Sequence, residues 1–235
     1  MSHAIILMYH NIGKPPKGVE TPNLYVTPGM FKFQMWYLKR AGFHVVTVQD
    51  LIRFIQEGRT GGRMVALTFD DGYRDFYENA YPVLKYYGYP STVFVTPGLM
   101  GRENTWDCMR EKVRKPLMDG ETVAEISRNN VIIGSHSMTH PSLVDISSHD
   151  VVRELTDSKR EIEEIVKRPV DLFCYPYGKH NDRVREEVKN AGYAASVSTL
   201  RGWVKQPFDP FCLNRVPVKL TTNPLSFLHR LYRKY

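Results

Sequence analysis

The chain has 235 residues, of which 42% are hydrophobic and 24% are charged, and its formal net charge is +7. This length and composition are typical of one globular domain and exclude a disordered or low-complexity protein, so we predict a single domain over residues 1–235. The positive charge favours anionic surfaces or substrates. Because the basic residues are dispersed and form no familiar nucleic-acid motif, we predict no nucleic-acid partner.

The cysteines and the two terminal segments indicate the cellular compartment in which the protein is expected. Cys108, Cys174 and Cys212 are far apart and form no disulfide framework. The N-terminus is too short and too soon polar for a secretory signal, and no apolar run approaches the roughly 18 residues of a membrane span. We therefore expect a cytoplasmic or peripherally membrane-associated protein. The basic, amphipathic segment 223–235 is the candidate for membrane contact, and packing on its own domain is the alternative.

Short apolar segments rich in β-formers alternate with amphipathic segments along the chain. The predicted strands are Ala4–Tyr9, His44–Val48, Met64–Phe69, Ser91–Val95, Val131–Ser135, Asp171–Tyr175, Tyr193–Ser198 and Leu213–Val218. Predicted helices run from a Thr27-Pro28 cap to about Ala41-Gly42, from Ser148 to Lys167, and from Asn181 to Ala191.

This alternation predicts an α/β fold with a parallel sheet. No glycine-rich phosphate-binding motif follows the first strand, which disfavours a dinucleotide-binding sheet. We therefore predict an irregular (β/α) barrel with seven or eight parallel strands.

Chemically reactive residues follow several of the predicted strands. His10, the pair Asp70 and Asp71, His136 and Tyr177 each come directly or shortly after a strand. Because α/β barrels build their active sites at the C-terminal ends of their strands, we expect these residues to surround one site.

Two motifs predict a catalytic metal at that site. They are Thr68-Phe69-Asp70-Asp71-Gly72 and His136-Ser137-Met138-Thr139-His140. One carboxylate and two imidazoles can hold a Zn²⁺-like ion and leave a coordination position open, so the predicted ligands are Asp71, His136 and His140. Asp70 is then left over as a general base. We expect Zn²⁺, with Co²⁺, Ni²⁺ or Fe²⁺ as alternatives.

The paired motifs resemble the first two motifs of the polysaccharide deacetylase family, the NodB-homology domains of carbohydrate esterase family 4. The resemblance runs from about Ile5 to Val218. It implies an irregular (β/α) barrel that uses a divalent metal to remove acetyl groups from sugars. It also implies that Asp70 is the base and that the other three residues hold the metal.

The later motifs depart from the family pattern. Cys174-Tyr175-Pro176-Tyr177-Gly178 stands where the family has Arg-x-Pro-Tyr/Phe, so the arginine is missing. Of the Asp-rich fourth motif only Trp203 is present, and the last strand lacks the family's Leu-x-His. The general acid and the support of the base must therefore come from elsewhere.

Met8-Tyr9-His10-Asn11 suggests where the acid comes from. It resembles the Tyr-His of the subgroup that includes deacetylases of poly-N-acetylglucosamine, in which the early histidine is similar in role to the missing late one. Since the first and last strands of a barrel are neighbours, we predict that His10 is the acid.

Other roles are also implied by the resemblance. The Tyr177 backbone N–H is expected to face the developing oxyanion, with Tyr175 and Pro176 holding its loop. Arg215 is the candidate for the missing arginine beside the base. Trp203 and Trp106, with Tyr73 and Phe94, are candidate walls of the sugar pocket, and core packing is the alternative for most of them.

The predicted function is a metal-dependent carbohydrate deacetylase. It would remove acetyl groups, preferentially N-acetyl from N-acetylhexosamine, from a polysaccharide or a lipid-linked glycan. The alternatives are a catalytically silent carbohydrate-binding relative, and a deformylase or phosphoesterase of a sugar intermediate. The intact Asp70 favours an enzyme, because a binding module needs no base. The sugar, its linkage and the oligomeric state stay open.

Overall fold

The computed structural model describes residues 3–59, 63–106 and 113–232. Within them the strands, numbered in chain order, are β1 (His3–Tyr9), β2 (Asn11–Ile12), β3 (Tyr25–Val26), β4 (His44–Val46), β5 (Met64–Phe69), β6 (Ser91–Val95), β7 (Val131–Ser135), β8 (Leu172–Cys174), β9 (Ala195–Arg201), β10 (Val204–Lys205) and β11 (Leu213–Pro217). The α-helices are α1 (Pro28–Arg40), α2 (Val48–Gln56), α3 (Tyr81–Tyr87), α4 (Gly120–Ser127), α5 (Ser148–Val166), α6 (Asp182–Asn190) and α7 (Pro224–Tyr232).

Seven parallel strands form a closed ring. Their order is β1-β11-β9-β8-β7-β6-β5, and pairing of β5 with β1 closes the barrel. The prediction of an irregular (β/α) barrel with seven or eight parallel strands is therefore confirmed, with seven. The remaining predicted strand, His44–Val48, corresponds to β4, which lies outside the ring. It pairs with the first half of β5, whereas β6 pairs with the second half of β5. It therefore extends the sheet beside the ring.

Alternate residues of the ring strands enter two different apolar layers. In β1, Ile5 and Leu7 belong to the layer between the barrel and its outer helices, while Ile6 belongs to an inner layer. The inner layer also contains Leu51 and Ile55 of α2. One helix thus closes the end of the barrel where the strands begin, which leaves the opposite end for polar residues.

Helix caps follow the sequence signals. The Thr27 hydroxyl accepts the Met30 N–H at 3.3 Å, with Pro28 in the first turn of α1. The Asn181 side chain accepts the Val184 N–H at 2.9 Å and starts α6. The three helices predicted from the sequence are confirmed to within about two residues at each end, as is usual for helix boundaries.

The C-terminal helix packs on its own domain. Phe227 and Leu231 of α7 are buried, and the Phe227 ring lies 6.4 Å from that of Tyr37 in α1. Leu225 is exposed. The apolar face of this segment is therefore used within the domain, and its contact with a membrane stays a prediction. No helix in the described ranges has the length and apolar character needed to cross a bilayer.

Candidate active site

The strands of the ring open at their C-terminal ends into a cavity of about 630 Å³. The predicted site residues that line it are His10 after β1, Asp70 and Asp71 after β5, His136 and His140 after β7, and Tyr175 and Tyr177 after β8. Residues that are distant in sequence are thus gathered around one space, as expected for a barrel.

The exit of β5 brings two adjacent carboxylates to the same cavity. Successive residues of a strand point to opposite sides, but β5 ends at Phe69 and Asp71 has a φ of 74°. Gly72 follows with a φ of 70°, and a Cβ there would meet Val95 Cγ1 at 3.1 Å. This turn lets Asp70 and Asp71 face different partners within one site.

Asp71, His136 and His140 form a cluster whose donor atoms suit a metal. Asp71 Oδ1 lies 3.3 Å from His136 Nε2 and 3.5 Å from His140 Nε2. The two Nε2 atoms are 3.2 Å apart. A tetrahedral zinc ion with bonds of about 2.0–2.1 Å would separate its ligands by about 3.3 Å. The three buried side chains therefore fit such an ion without rearrangement.

The orientation of both imidazoles is fixed by their neighbours. The His136 Nδ1–H donates to the Cys174 carbonyl oxygen at 2.7 Å, which leaves the Nε2 lone pair facing the cluster. The His140 ring lies between Trp106, with centroids 4.4 Å apart, and Tyr177, at 4.7 Å. Within the described part of the chain, His140 Nδ1 is buried without a hydrogen-bond partner.

The loop that carries the two histidines is held through its backbone. The Ser137 hydroxyl accepts the His140 N–H at 3.0 Å. The Glu154 carboxylate, from α5, accepts the N–H groups of Met138 and Thr139, each at 2.8 Å. This contact of Glu154 was not predicted from the sequence. Nothing in its local sequence distinguishes it from the other acidic residues of an amphipathic helix.

A second group of metal-ligating side chains, Asp70, His136 and Cys174, also lies close together. The Arg215 guanidinium donates to both Asp70 oxygens and to Cys174 Sγ. A cation already occupies the space that a metal would need, so the cluster containing Asp71 is the better site.

Asp70 is held by a buried arginine. Arg215 Nη1 and Nη2 donate to its two oxygens at 2.6 and 2.7 Å, and both side chains are almost fully buried. Burial alone would raise the pKa of Asp70, but the Arg215 charge and hydrogen bonds outweigh it and hold that pKa below the usual range. Asp70 is therefore ionised at neutral pH.

The arginine reaches this place from a different strand than the family motif uses. Cys174, at the end of β8, stands at the motif position of the missing arginine, and its Sγ contacts Arg215 Nη2 at 3.3 Å. Arg215 comes from β11, where its Nε donates to the Ser198 carbonyl at 2.8 Å. A smaller residue on β8 thus leaves room for a guanidinium from β11.

His10 lies on the other side of Asp70. Its Nε2 is 3.7 Å from Asp70 Oδ2, and 15% of its side chain is exposed. Burial lowers the pKa of His10, and the Asp70 carboxylate acts in the opposite direction. The position suits a residue that exchanges protons with substrate in the cavity.

Tyr177 occupies a strained position at the mouth of the cavity. Its φ is 59°, and 45% of the residue is exposed. Pro176 is buried, and the Tyr175 hydroxyl donates to the Phe211 carbonyl at 2.9 Å. A Cβ at Gly178 would lie 1.9 Å from Thr199 Oγ1. These contacts constrain the loop after β8, and the role of Tyr175 and Pro176 in holding it stays a prediction.

Trp203 requires a correction. Its indole is buried in the core, where Nε1 donates to the Arg230 carbonyl of α7 at 3.3 Å. It therefore supports the C-terminal helix instead of lining the sugar pocket. Trp106, on the His140 ring, is the tryptophan that lines the cavity. Cys174 and Cys212 are free thiols, while Cys108 lies outside the described residues.

Comparisons with known proteins agree with this geometry. A polysaccharide deacetylase family model matches residues 57–196, which contain both motifs. Bacillus subtilis YxkH is 28% identical over 214 residues, covering 91% of this chain and 70% of that protein. The poly-beta-1,6-N-acetyl-D-glucosamine N-deacetylase of Staphylococcus aureus is 27% identical over 210 residues, covering 80% and 69%.

Solved structures share the fold. The Streptococcus pyogenes deacetylase PplD, in complex with acetate, is 26% identical and superposes with a TM-score of 0.85 over 99% of both chains. IcaB from Ammonifex degensii has the same fold, with a TM-score of 0.81 at 22% identity, over 97% of this chain and 95% of that one. With the family model matching more than half of the sequence, the chain belongs to the polysaccharide deacetylase family.

Proposed function

We propose that this chain is a metal-dependent hydrolase that removes N-acetyl groups from N-acetylhexosamine residues of a polysaccharide or lipid-linked glycan, with residues 1–235 as one catalytic domain. The main support for this proposal is that the two adjacent carboxylates, Asp70 and Asp71, have different partners. Asp71 lies among the metal-ligating imidazoles, while Asp70 is ionised, held by Arg215 and available to accept a proton.

The metal's contribution follows from its ligands. A divalent ion held by Asp71, His136 and His140 would act as a Lewis acid toward the acetyl carbonyl and the attacking water, with zinc as the first candidate and cobalt, nickel or iron as alternatives. When His136 is neutral, its proton lies on Nδ1 and is donated to the Cys174 carbonyl, which is the tautomer that such an ion requires.

Asp70 would accept a proton from the water whose oxygen bonds to the acetyl carbon. Because Arg215 binds both carboxylate oxygens, the side chain stays ionised and cannot rotate away. The Tyr177 backbone N–H would donate to the oxyanion that develops on the carbonyl oxygen, an interaction that is typically a large term in acyl transfer.

His10 would complete the proton transfer. It would donate a proton to the sugar nitrogen as the carbon–nitrogen bond breaks, giving acetate and a free amine. Its 3.7 Å separation from Asp70 Oδ2 allows the proton taken from water to return to the imidazole afterwards. No net proton is then left on the protein.

The relatives favour an N-acetylated glycan as substrate. The Staphylococcus aureus relative is named for deacetylation of poly-beta-1,6-N-acetyl-D-glucosamine. The PplD structure contains acetate, which is the acid product of such a reaction. Each is between a quarter and a third identical to this chain over the aligned residues.

The test is acetate and amine release from N-acetylglucosamine oligosaccharides by metal-loaded protein, with loss after chelation and recovery with Zn²⁺. We expect Asp70→Asn to keep the metal and to lose roughly 10²–10⁴-fold in turnover. His136→Ala should lose both metal and activity. Asp182→Asn, whose carboxylate is 94% exposed on α6, serves as the matched control.

Two results would contradict the proposal. Unchanged turnover in Asp70→Asn would remove the assigned base. Release of formate or phosphate from sugar intermediates, without acetate from any acetylated glycan, would indicate a different hydrolase.

A further inference from the structure

Two cationic side chains line the active-site cavity on the side formed by β9 and β11. Arg201 is the last residue of β9 and lies in register with Arg215 of β11. Lys219 follows the end of β11 by two residues, and both side chains face the cavity that contains Asp70 and His10. Neither has a role in the proposed reaction.

These cations have no close counter-charge in the part of the chain that the structure describes. Among the described residues, neither Arg201 nor Lys219 has a carboxylate oxygen within 4.0 Å. The charges acting on Lys219 are instead those of Arg201 and Arg230, which add to the effect of burial in lowering its pKa. Arg230 is fixed by a 2.8 Å hydrogen bond to the Pro217 carbonyl.

The other ionised groups of the cavity do not balance this charge. Asp70 is paired with Arg215, and Asp71 is directed toward the two metal-ligating histidines. Glu20 also lines the cavity, from the segment after β2. Of the described residues that line the cavity, one remaining carboxylate therefore faces two cations, and Arg230 lies close to Lys219.

Basic residues also line a cavity next to the active site. A neighbouring cavity of about 440 Å³ shares Arg201 and adds Arg185 and Lys205. Arg185 is already paired with Asp182 and Asp209. Arg201 thus lines both the active-site cavity and this second cavity.

We propose that Arg201 and Lys219 form a subsite for an oxyanion, a phosphate or carboxylate group, carried by the glycan next to the acetylated sugar. This rests on the proposed deacetylase function and makes its substrate an anionic glycan. A guanidinium binds phosphate or carboxylate through two parallel hydrogen bonds, and the ammonium adds a point charge. Such an anion would also relieve the repulsion between the cations.

The test compares three oligosaccharides: N,N′-diacetylchitobiose (called chitobiose below), its 1-phosphate, and a hyaluronan tetrasaccharide that carries carboxylates. Binding to metal-free wild-type protein, measured by calorimetry, is separate from turnover. At low salt we expect the anionic ligand to bind about tenfold more tightly than chitobiose. The advantage should shrink to about twofold in 0.5 M NaCl, because salt screens partly exposed charges.

Arg201→Gln and Lys219→Gln should each remove most of this advantage, which is the ratio of the chitobiose to the anionic-ligand dissociation constant within the same variant. The control is Arg128→Gln, which makes the same charge change just after α4, beside the start of β7 and hence at the opposite end of the barrel. Thermal unfolding of each variant checks that the fold is retained.

The outcomes distinguish a phosphate from a carboxylate ligand. They also distinguish failure of the subsite proposal from failure of the deacetylase proposal. Tighter binding of the phosphate alone, of the carboxylate alone, or of both identifies the oxyanion and supports the subsite. Equal binding of all three ligands, no detectable binding of the anionic ones, or a preference that both substitutions leave intact would overturn it. If metal-loaded protein released acetate from none of them, the deacetylase assignment would fail while the binding preference could still be measured.

Discussion

The ion pair between Arg215 and Asp70 makes the sharpest prediction. In Arg215→Met the side chain keeps much of its length but loses the guanidinium that binds both Asp70 oxygens. Asp70 is then left as a buried carboxylate without its main partner. The nearest remaining group that can be cationic is His10, at 3.7 Å.

The expected magnitude follows from this burial. Removing one partner of a buried ion pair typically costs about 3–5 kcal/mol, because the other charge stays desolvated. Arg215 also donates to Thr68 Oγ1, the Ser198 carbonyl and Cys174 Sγ, so its loss leaves these buried acceptors without that donor. We expect Arg215→Met to lower the free energy of unfolding by about 4 kcal/mol at pH 7.

The stability difference between the wild type and Arg215→Met should depend on pH in a defined direction. In the wild type the pKa of Asp70 is held below its usual value, so the pair stabilises the fold above about pH 4 and this contribution is lost as pH falls through the folded-state pKa. Without Arg215, burial raises the pKa of Asp70 instead. Acidification then neutralises the stranded charge, and the stability deficit of the variant should shrink as pH falls from 8 toward 5.

Urea unfolding of the metal-free proteins across this pH range measures the deficit. Adding Asp70→Asn to Arg215→Met should recover about 2 kcal/mol or more, because no buried charge then remains. Arg185→Met is the control, since its partly exposed pairs with Asp182 and Asp209 should be worth under about 1 kcal/mol. An Arg215→Met protein as stable as the Arg185→Met control, with a deficit independent of pH, would refute the reasoning.

Three further predictions concern single side chains. His10→Gln should reduce kcat by roughly 10²–10⁴-fold with unchanged metal affinity, measured by acetate release and metal titration; equal loss of both would make His10 structural. Glu154→Ala should weaken metal binding by about 10-fold or more, since it frees the backbone of Met138 and Thr139, and an unaltered dissociation constant would contradict this. Burial raises the pKa of Asp75 to about 7, so the free energy of unfolding should fall between about pH 4 and pH 7 by up to about 4 kcal/mol. Asp75→Asn should abolish that slope in chemical denaturation, and an identical slope in the variant would disprove it.

The barrel and the gathering of polar residues were predictable from the sequence because both depend on local patterns. The strands of a parallel barrel are buried on both faces and therefore read as continuous apolar runs, as in β5 and β6. Reactive residues after such runs must meet at one end of the ring. The positions of Asp70, Asp71, His136 and His140 required no knowledge of strand order.

The supporting contacts were harder to predict because they depend on register between strands that are distant in sequence. The Cys174 carbonyl orients His136 only because β7 and β8 are neighbours, and Arg215 reaches Asp70 across the barrel. Arg215 was a candidate only because the family resemblance left an arginine missing beside the base. Trp203 was misplaced for the same reason, since its burial depends on where α7 packs.

Backbone strain gives an independent indication of where function is concentrated. Six non-glycine residues of the described chain have positive φ, and four of them belong to the site: Asp71, Ser137, His140 and Tyr177. Left-handed backbone costs roughly 1–2 kcal/mol for such residues, so it persists only where surrounding contacts determine it. Glu154, the Ser137 hydroxyl and the packed loop after β8 supply those contacts. Asp71, His140 and Tyr177 are also residues that the proposed function uses, as two candidate metal ligands and the candidate oxyanion donor. The positive-φ residues therefore lie in the three loops, after β5, β7 and β8, that bring the site residues together. Stability alone does not explain this backbone strain, because each such residue destabilises the fold.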